Sequence, residues 1–82
     1  MSILLDVRES YEFEEGHHPQ AVNLPLSSIV EGATLNTNEA TKIFVYCRSG
    51  NRSQKAQELL SRRGFSNVVN VGGVKDIEGM KF

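Results

Sequence analysis

The chain of 82 residues has one cysteine, Cys47, so no internal disulfide can staple it, and that thiol is either inert core or reactive. It has no long apolar run. The longest, Ile43 to Cys47, is far too short to cross a bilayer. It has almost no net charge, −1, so nothing global points to nucleic acid or to an anionic membrane, and any anion site has to be local. Two prolines and an ordinary share of apolar residues, 39%, exclude the low-complexity classes. No secretory leader pattern precedes the strand signal at Ile3, which sets the expectation of a cytoplasmic protein, or a periplasmic one if a leader has been removed. A length of 82 residues allows one small domain, 1–82, of modest stability.

What is present alternates. Ile3–Val7 reads as a buried strand, and Glu9 to Glu15 as a short helix with Ser10 as a candidate cap. Ala21–Leu24 is a brief strand closed by Pro25, and 25–30 a turn or two of helix that ends by Gly32. Residues 33–41 are polar loop. Ile43–Tyr46 is β-branched, aromatic and nearly all apolar, the pattern of a central parallel strand. The spacing over 53–63 predicts a helix with Ala56, Leu59, Leu60 and Arg63 on one stripe and Gly64 just past its end. Asn67–Val71 is a fourth strand, followed by a turn at Gly72-Gly73 and a short tail helix. Strand and helix in strict alternation imply an α/β fold: an open parallel sheet of about four short strands, with helices on both faces in three layers. Ligands of such sheets gather at the carboxyl ends of the strands. Cys47 sits at that edge.

Cys47 opens the run Cys47-Arg48-Ser49-Gly50-Asn51-Arg52-Ser53, between the strongest strand and the start of the longest helix. Gly50 allows unusual backbone angles, so the amides of Ser49, Asn51, Arg52 and Ser53 can curl toward one point and form an anion-binding nest. The helix start and the guanidiniums of Arg48 and Arg52 favour the thiolate, the nucleophilic form. A core cysteine packed as a small hydrophobe needs none of these neighbours. The reactive reading therefore outweighs the inert one.

The loop resembles that of the rhodanese (thiosulfate sulfurtransferase) family, Cys-Arg-x-Gly-x-Arg. Three further segments agree in order: Leu5-Asp6-Val7-Arg8 with Glu12-Phe13, Gly16-His17-His18-Pro19-Gln20-Ala21-Val22-Asn23-Leu24-Pro25, and Asn70-Val71-Gly72-Gly73. The chain is similar to the family's shortest single-domain form, the phage shock protein E type. The resemblance implies a rhodanese fold and persulfide chemistry, in which Cys47 takes a sulfane sulfur from a donor and passes it to a thiophilic acceptor. It departs from the family pattern at His18 and Gln20, where isoleucine and glycine are usual, and at Ile77, in a stretch that often holds tryptophan.

These readings converge on a sulfurtransferase with Cys47 as nucleophile. Arg48, Ser49, Gly50, Asn51, Arg52 and Ser53 bind the anionic donor. No cofactor and no metal are expected, since adjacent His17 and His18 point apart and no fourth ligand is patterned. The expected partners are a small anionic sulfur donor and a thiophilic acceptor, with no nucleic acid or membrane, and the chain is expected to be a monomer. Lys75 is a further candidate for holding a donor, and Asp6 with Arg8 reads as an ion pair at a strand end, tied to the helix that carries Glu12. A phosphatase of the cell-cycle type needs Cys-x-x-x-x-x-Arg, one residue longer, to hold a tetrahedral oxyanion. The alternatives that keep this fold are a non-catalytic binding or regulatory module and a sulfur carrier to a protein partner. With one cysteine, release of the sulfur has to be intermolecular.

Overall fold

Residues 2–82 are described by a computed structural model. The chain runs β1 (Ser2–Asp6), α1 (Ser10–Glu15), β2 (Ala21–Asn23), α2 (Leu26–Val30), β3 (Lys42–Cys47), α3 (Asn51–Arg62) and β4 (Val68–Gly73), then one 3-10 turn (Val74–Asp76). All strand pairs are parallel, in the order β2-β1-β3-β4. The chain leaves β1 toward β2, returns past β1 to β3 and continues outward to β4. The strand order therefore reverses between β1 and β3, and the carboxyl ends of those two strands, Asp6 and Cys47, flank the crevice where such folds place ligands.

The central strands are apolar throughout because both faces of the sheet are covered. Leu5, Val7, Ile43, Val45 and Cys47 face α2 and α3, where Ile29, Ala56 and Leu60 complete a core with Phe65. Leu4 and Tyr46 face the other way and meet Ile77, with Phe44, Val71, Val74 and Phe82 around them. The open parallel sheet with helices is as the strand–helix alternation implies. The layer on the second face is thin, built largely from the 3-10 turn and the segment after it.

Three local expectations change. Ser10 does not cap α1. The flanking residue is Glu9, whose backbone N–H donates to the Glu12 carboxylate at 3.1 Å, so Glu12 supplies the cap from inside the helix. α3 begins at Asn51, two residues before the expected start, because Gly50 at φ +100° turns the chain straight into the helix. Gly72 and Gly73 are not a turn. They extend β4 beside Tyr46 and Cys47 after a register shift at Val45/Tyr46, and the expected tail helix shrinks to a single 3-10 turn. The polar segment 33–41 is a loop, as its composition indicates.

Candidate active site

β3 carries Cys47 to the crevice with its side chain buried, 1% exposed. The loop then folds back so that its own amides face the sulfur: Gly50 N–H donates to Sγ at 3.0 Å and Ser53 N–H at 3.4 Å. The Ser53 hydroxyl lies 3.5 Å from Sγ on the buried side. Burial pushes the Cys47 thiol up. Hydrogen bonds from the Ser53 hydroxyl and from the amides of Ser53, Ser49 and Gly50 outweigh it, and the net displacement is downward from the ordinary 9.0. The cradle is thus built for an anionic sulfur.

β4 closes the cradle from the side. Asn70 Nδ2 donates to the Gly50 carbonyl at 3.1 Å, while Asn70 Oδ1 accepts from the Ser53 hydroxyl at 2.7 Å and from Gly72 N–H at 3.0 Å. The glycines beyond it let the loop come close. A Cβ at Gly73 would overlap the carbonyl oxygen of Arg48, and one at Gly72, where φ is +98°, would overlap the Asp76 carboxylate. Asp76 Oδ2 accepts from Gly73 N–H at 2.7 Å and so fixes the end of β4.

The arginines at the mouth meet an acid. Glu12, on α1, has a side chain only 6% exposed and binds Arg52 bidentately, at 2.7 and 3.0 Å. Arg48 approaches the same carboxylate at 3.4 Å, with a side chain 72% exposed. The Arg52 pair, more than any other neighbour, lowers the Glu12 carboxyl to about 2, against the cost of its burial. One carboxylate thus faces two guanidiniums. Arg52 is turned toward Glu12, whereas Arg48 faces solvent. Ser49 is exposed on the loop, Asn51 at the first position of α3 and Lys75 on the 3-10 turn.

At the neighbouring strand end the Asp6–Arg8 pair forms as expected. Arg8 Nη2 lies 2.6 Å from Asp6 Oδ2, and its Nε donates to both carboxylate oxygens at 3.0 Å. Arg8 reaches α1 through the Gly16 carbonyl, not through Glu12, which is occupied by Arg52. Tyr46 hydroxyl donates to Asp6 Oδ2 at 2.7 Å and accepts from His18 N–H at 3.3 Å. Burial, then the bond to Asp6, raises the Tyr46 phenol to about 12. This buried network supports the crevice from below.

His17 and His18 do point apart. His17 Nδ1 bonds the Phe13 carbonyl at 2.7 Å and its ring stacks on Phe13, while His18 Nε2 bonds the Met80 carbonyl at 2.7 Å. Among the described residues no group of three or more His, Cys, Asp or Glu side chains is placed to hold a metal, and no helix is long and apolar enough to cross a membrane.

Of the loop residues singled out in the sequence, Ser49, Gly50 and Ser53 bring their amides to Sγ, while the side chains of Arg48, Ser49 and Asn51 face solvent. The sequence assigns no role to Asn70, Glu12 or Asp76, although Asn70 and Glu12 lie inside quoted motifs. The cue for Asn70 is a carboxamide set between valines in an otherwise apolar strand, two residues before a glycine pair.

Comparison with known proteins agrees with this geometry. The family model described as Rhodanese-like domain matches residues 1–79. The chain is 38% identical over 74 residues to the thiosulfate sulfurtransferase PspE of Escherichia coli, covering 89% of this chain and 71% of that protein. It is 39% identical over 77 residues to YrkF of Bacillus subtilis, named for sulfur carriage, covering 93% of this chain but 41% of that longer protein. A solved E. coli structure described as a rhodanese with anions superposes with a TM-score of 0.86 at 35% identity, covering 99% of this chain and 95% of that one. A Rhodanese_3 like domain from Anabaena gives 0.87 at 26% identity, covering 99% and 97%. The thiol cradle at the crest of a four-stranded parallel sheet, and the match along nearly the whole chain, lead to one conclusion: this chain belongs to the rhodanese-like domain family.

Proposed function

We propose that the chain is a thiosulfate sulfurtransferase that works through a Cys47 persulfide. The observation that carries this reading is the Sγ of Cys47, buried and held by the N–H groups of Gly50 and Ser53. The Cys47 thiolate attacks the outer sulfur of thiosulfate, the sulfur–sulfur bond breaks, and sulfite leaves with the electron pair. The product is Cys–S–S⁻, whose terminal sulfur lies among the amides of Arg48 through Ser53. Cyanide or a thiolate then attacks that terminal sulfur, the new sulfur–sulfur bond breaks, and the Cys47 thiolate returns. Arg48, exposed at the mouth, draws the anionic donor in, while Arg52, held by Glu12, keeps the helix start and its positive end in place. A polysulfide or persulfide donor fits the same chemistry. The reaction needs no metal, cofactor, nucleic acid or membrane, and the domain acts as a monomer. Because the single thiol depends on no second cysteine, the cycle runs in the cytoplasm and equally in a periplasm.

The name of the B. subtilis relative favours a second reading with the same first half-reaction, sulfur carriage to a protein acceptor. Intact mass decides first. A gain of one sulfur, about 32 Da, with thiosulfate, lost with cyanide as thiocyanate forms and absent in Cys47→Ser, is the expected result. A gain only from a polysulfide or persulfide overturns thiosulfate as donor, and no gain from any donor overturns the enzyme reading in favour of a binding module.

A further inference from the structure

Ser53 has one hydroxyl proton and two neighbours that can receive it, Cys47 Sγ at 3.5 Å and Asn70 Oδ1 at 2.7 Å. The orientation of the Asn70 carboxamide is fixed from outside. Gly72 N–H requires an oxygen, and the Gly50 carbonyl requires an N–H. Flipping the amide would set donor against donor and acceptor against acceptor. Asn70 therefore presents oxygen to Ser53, and at 2.7 Å the Ser53 hydroxyl is the donor. In that arrangement Ser53 has only a lone pair left for Cys47, which suits a thiol donating its S–H. A thiolate calls for the opposite. A hydrogen bond to an ionised acceptor is stronger than one between neutral groups, so on ionisation the Ser53 proton turns to Sγ. Ser53 is 0% exposed, so water cannot serve it in either position.

From this geometry we infer that Asn70 is a positioning residue for sulfur loading: its Oδ1 accepts the Ser53 O–H hydrogen bond whenever Sγ is uncharged and yields it to Sγ whenever Cys47 is a thiolate. The inference rests on the persulfide reading above. In the persulfide the negative charge sits on the terminal sulfur, about 2.0 Å beyond Sγ, and Sγ becomes a weak acceptor. The Ser53 proton then returns to Asn70 Oδ1, so a buried hydroxyl stays paired in both halves of the cycle. Asn70 stabilises the thiol and the persulfide, both relative to the thiolate. It acts through Ser53, not by touching the sulfur.

The single cysteine makes the test clean. The pH profile of iodoacetamide alkylation reads the thiol–thiolate equilibrium without any sulfur transfer. Intact mass at a fixed thiosulfate-to-sulfite ratio reads the thiolate–persulfide equilibrium. In Asn70→Ala the thiolate fraction below the alkylation midpoint rises about three- to tenfold and the ratio of loaded to unloaded protein falls by a similar factor, the size of one lost hydrogen bond. In the Ser53→Ala background the same Asn70 substitution changes neither. Ser53→Ala alone moves both the other way, raising the alkylation midpoint and the loaded fraction, and it carries the test if Asn70→Ala does not fold. A midpoint that stays or rises in Asn70→Ala, an equal shift in both backgrounds, or an unmoved midpoint in Ser53→Ala overturns the inference. If the native protein gains no sulfur from any donor, the persulfide reading fails, while the alkylation cycle still reports whether Asn70 governs Ser53.

Discussion

Gly73 lies against the backbone of Arg48, so close that a methyl group on its α-carbon would occupy the space of the Arg48 carbonyl oxygen. The obstacle is backbone on both sides, and no flexible side chain can move aside to relieve it. The glycine pair is thus part of the cradle, because β4 has to pass beside the cysteine loop for Asn70 to reach Gly50 and Ser53. Gly73→Ala is expected to cost about 1–3 kcal/mol of stability through overpacking. It also pushes the loop off Sγ, so alkylation shifts to higher pH in the fraction that remains folded. Urea unfolding with the alkylation profile checks both, and an unshifted profile would show that loop and strand are not coupled.

Glu12 and Arg52 give an acid limb to stability. The Glu12 carboxyl is lowered from 4.5 to about 2, first by Arg52, so folding is favoured by its ionised form. That contribution is complete above about pH 4.5 and is lost as pH falls toward 2. The shift alone corresponds to about 3 kcal/mol. Arg52 has a side chain 35% exposed, and solvent screening reduces the figure to about 1–2 kcal/mol. In Glu12→Gln the decline of unfolding free energy between pH 4.5 and 2 should flatten. An unchanged acid limb would assign it to other carboxylates.

The fold was legible where a residue's surroundings are set by its sequence neighbours. Ile43–Tyr46 reads as a central strand because its side chains are β-branched or aromatic and nearly all apolar, and the loop reads as a cradle because glycine, arginines and helix start follow Cys47 directly. Asn70 and Glu12 were not legible as site residues, since their partners Ser53 and Arg52 lie 17 and 40 positions away and only strand order and crossover direction bring them together. The extension of β4 through Gly73 was missed for a related reason. Paired glycines signal a turn locally, but here they answer a close approach from another segment.

The thiol itself makes a prediction independent of substrate. With the Cys47 pKa held below 9.0 in the native protein, alkylation by iodoacetamide should have a lower midpoint than in the same chain unfolded in urea. By linkage, a depressed thiol adds stability that is complete above the unfolded value and is lost as pH falls through the folded one. Cys47→Ser should therefore remove a rise of stability on the alkaline side while leaving the neutral fold nearly intact. Equal midpoints in the native and unfolded chain would mean that the cradle only cancels the cost of burial at Sγ, and a higher native midpoint that burial dominates.

Tyr46 tests the support beneath the crevice. Its hydroxyl, fully buried, gives one of the hydrogen bonds that satisfy Asp6, alongside Arg8. Tyr46→Phe keeps the ring against Leu4 and Ile77 but leaves Asp6 Oδ2 with Arg8 alone and His18 N–H without its acceptor. The expected cost is about 1–3 kcal/mol, the penalty of buried polar groups left short of partners. Alkylation of Cys47 should keep its midpoint, because Cys47 points to the opposite face of the sheet. A large shift in that midpoint would mean that the two faces communicate through β3.

His18 and Gln20, two of the positions that depart from the family pattern, hold residues 80–82 down. Gln20 Nε2 donates to the Phe82 carbonyl at 3.0 Å and its Oε1 accepts from Phe82 N–H at 2.9 Å, while His18 bonds the Met80 carbonyl. The Phe82 ring then packs on Phe44 and edge-on to His18. The clamp covers the second face around Phe44. Phe82→Ala should cost about 1–2 kcal/mol, the share of a half-buried aromatic. Gln20→Ala, breaking two exposed bonds, should cost about 0.5–1 kcal/mol. Neither should alter the mass gained from thiosulfate, since both act on the face opposite Cys47. Urea midpoints for the two variants, beside loading measured under native conditions, separate the roles. If loading fell while both variants stayed folded, the clamp would belong to the site and not to the fold alone.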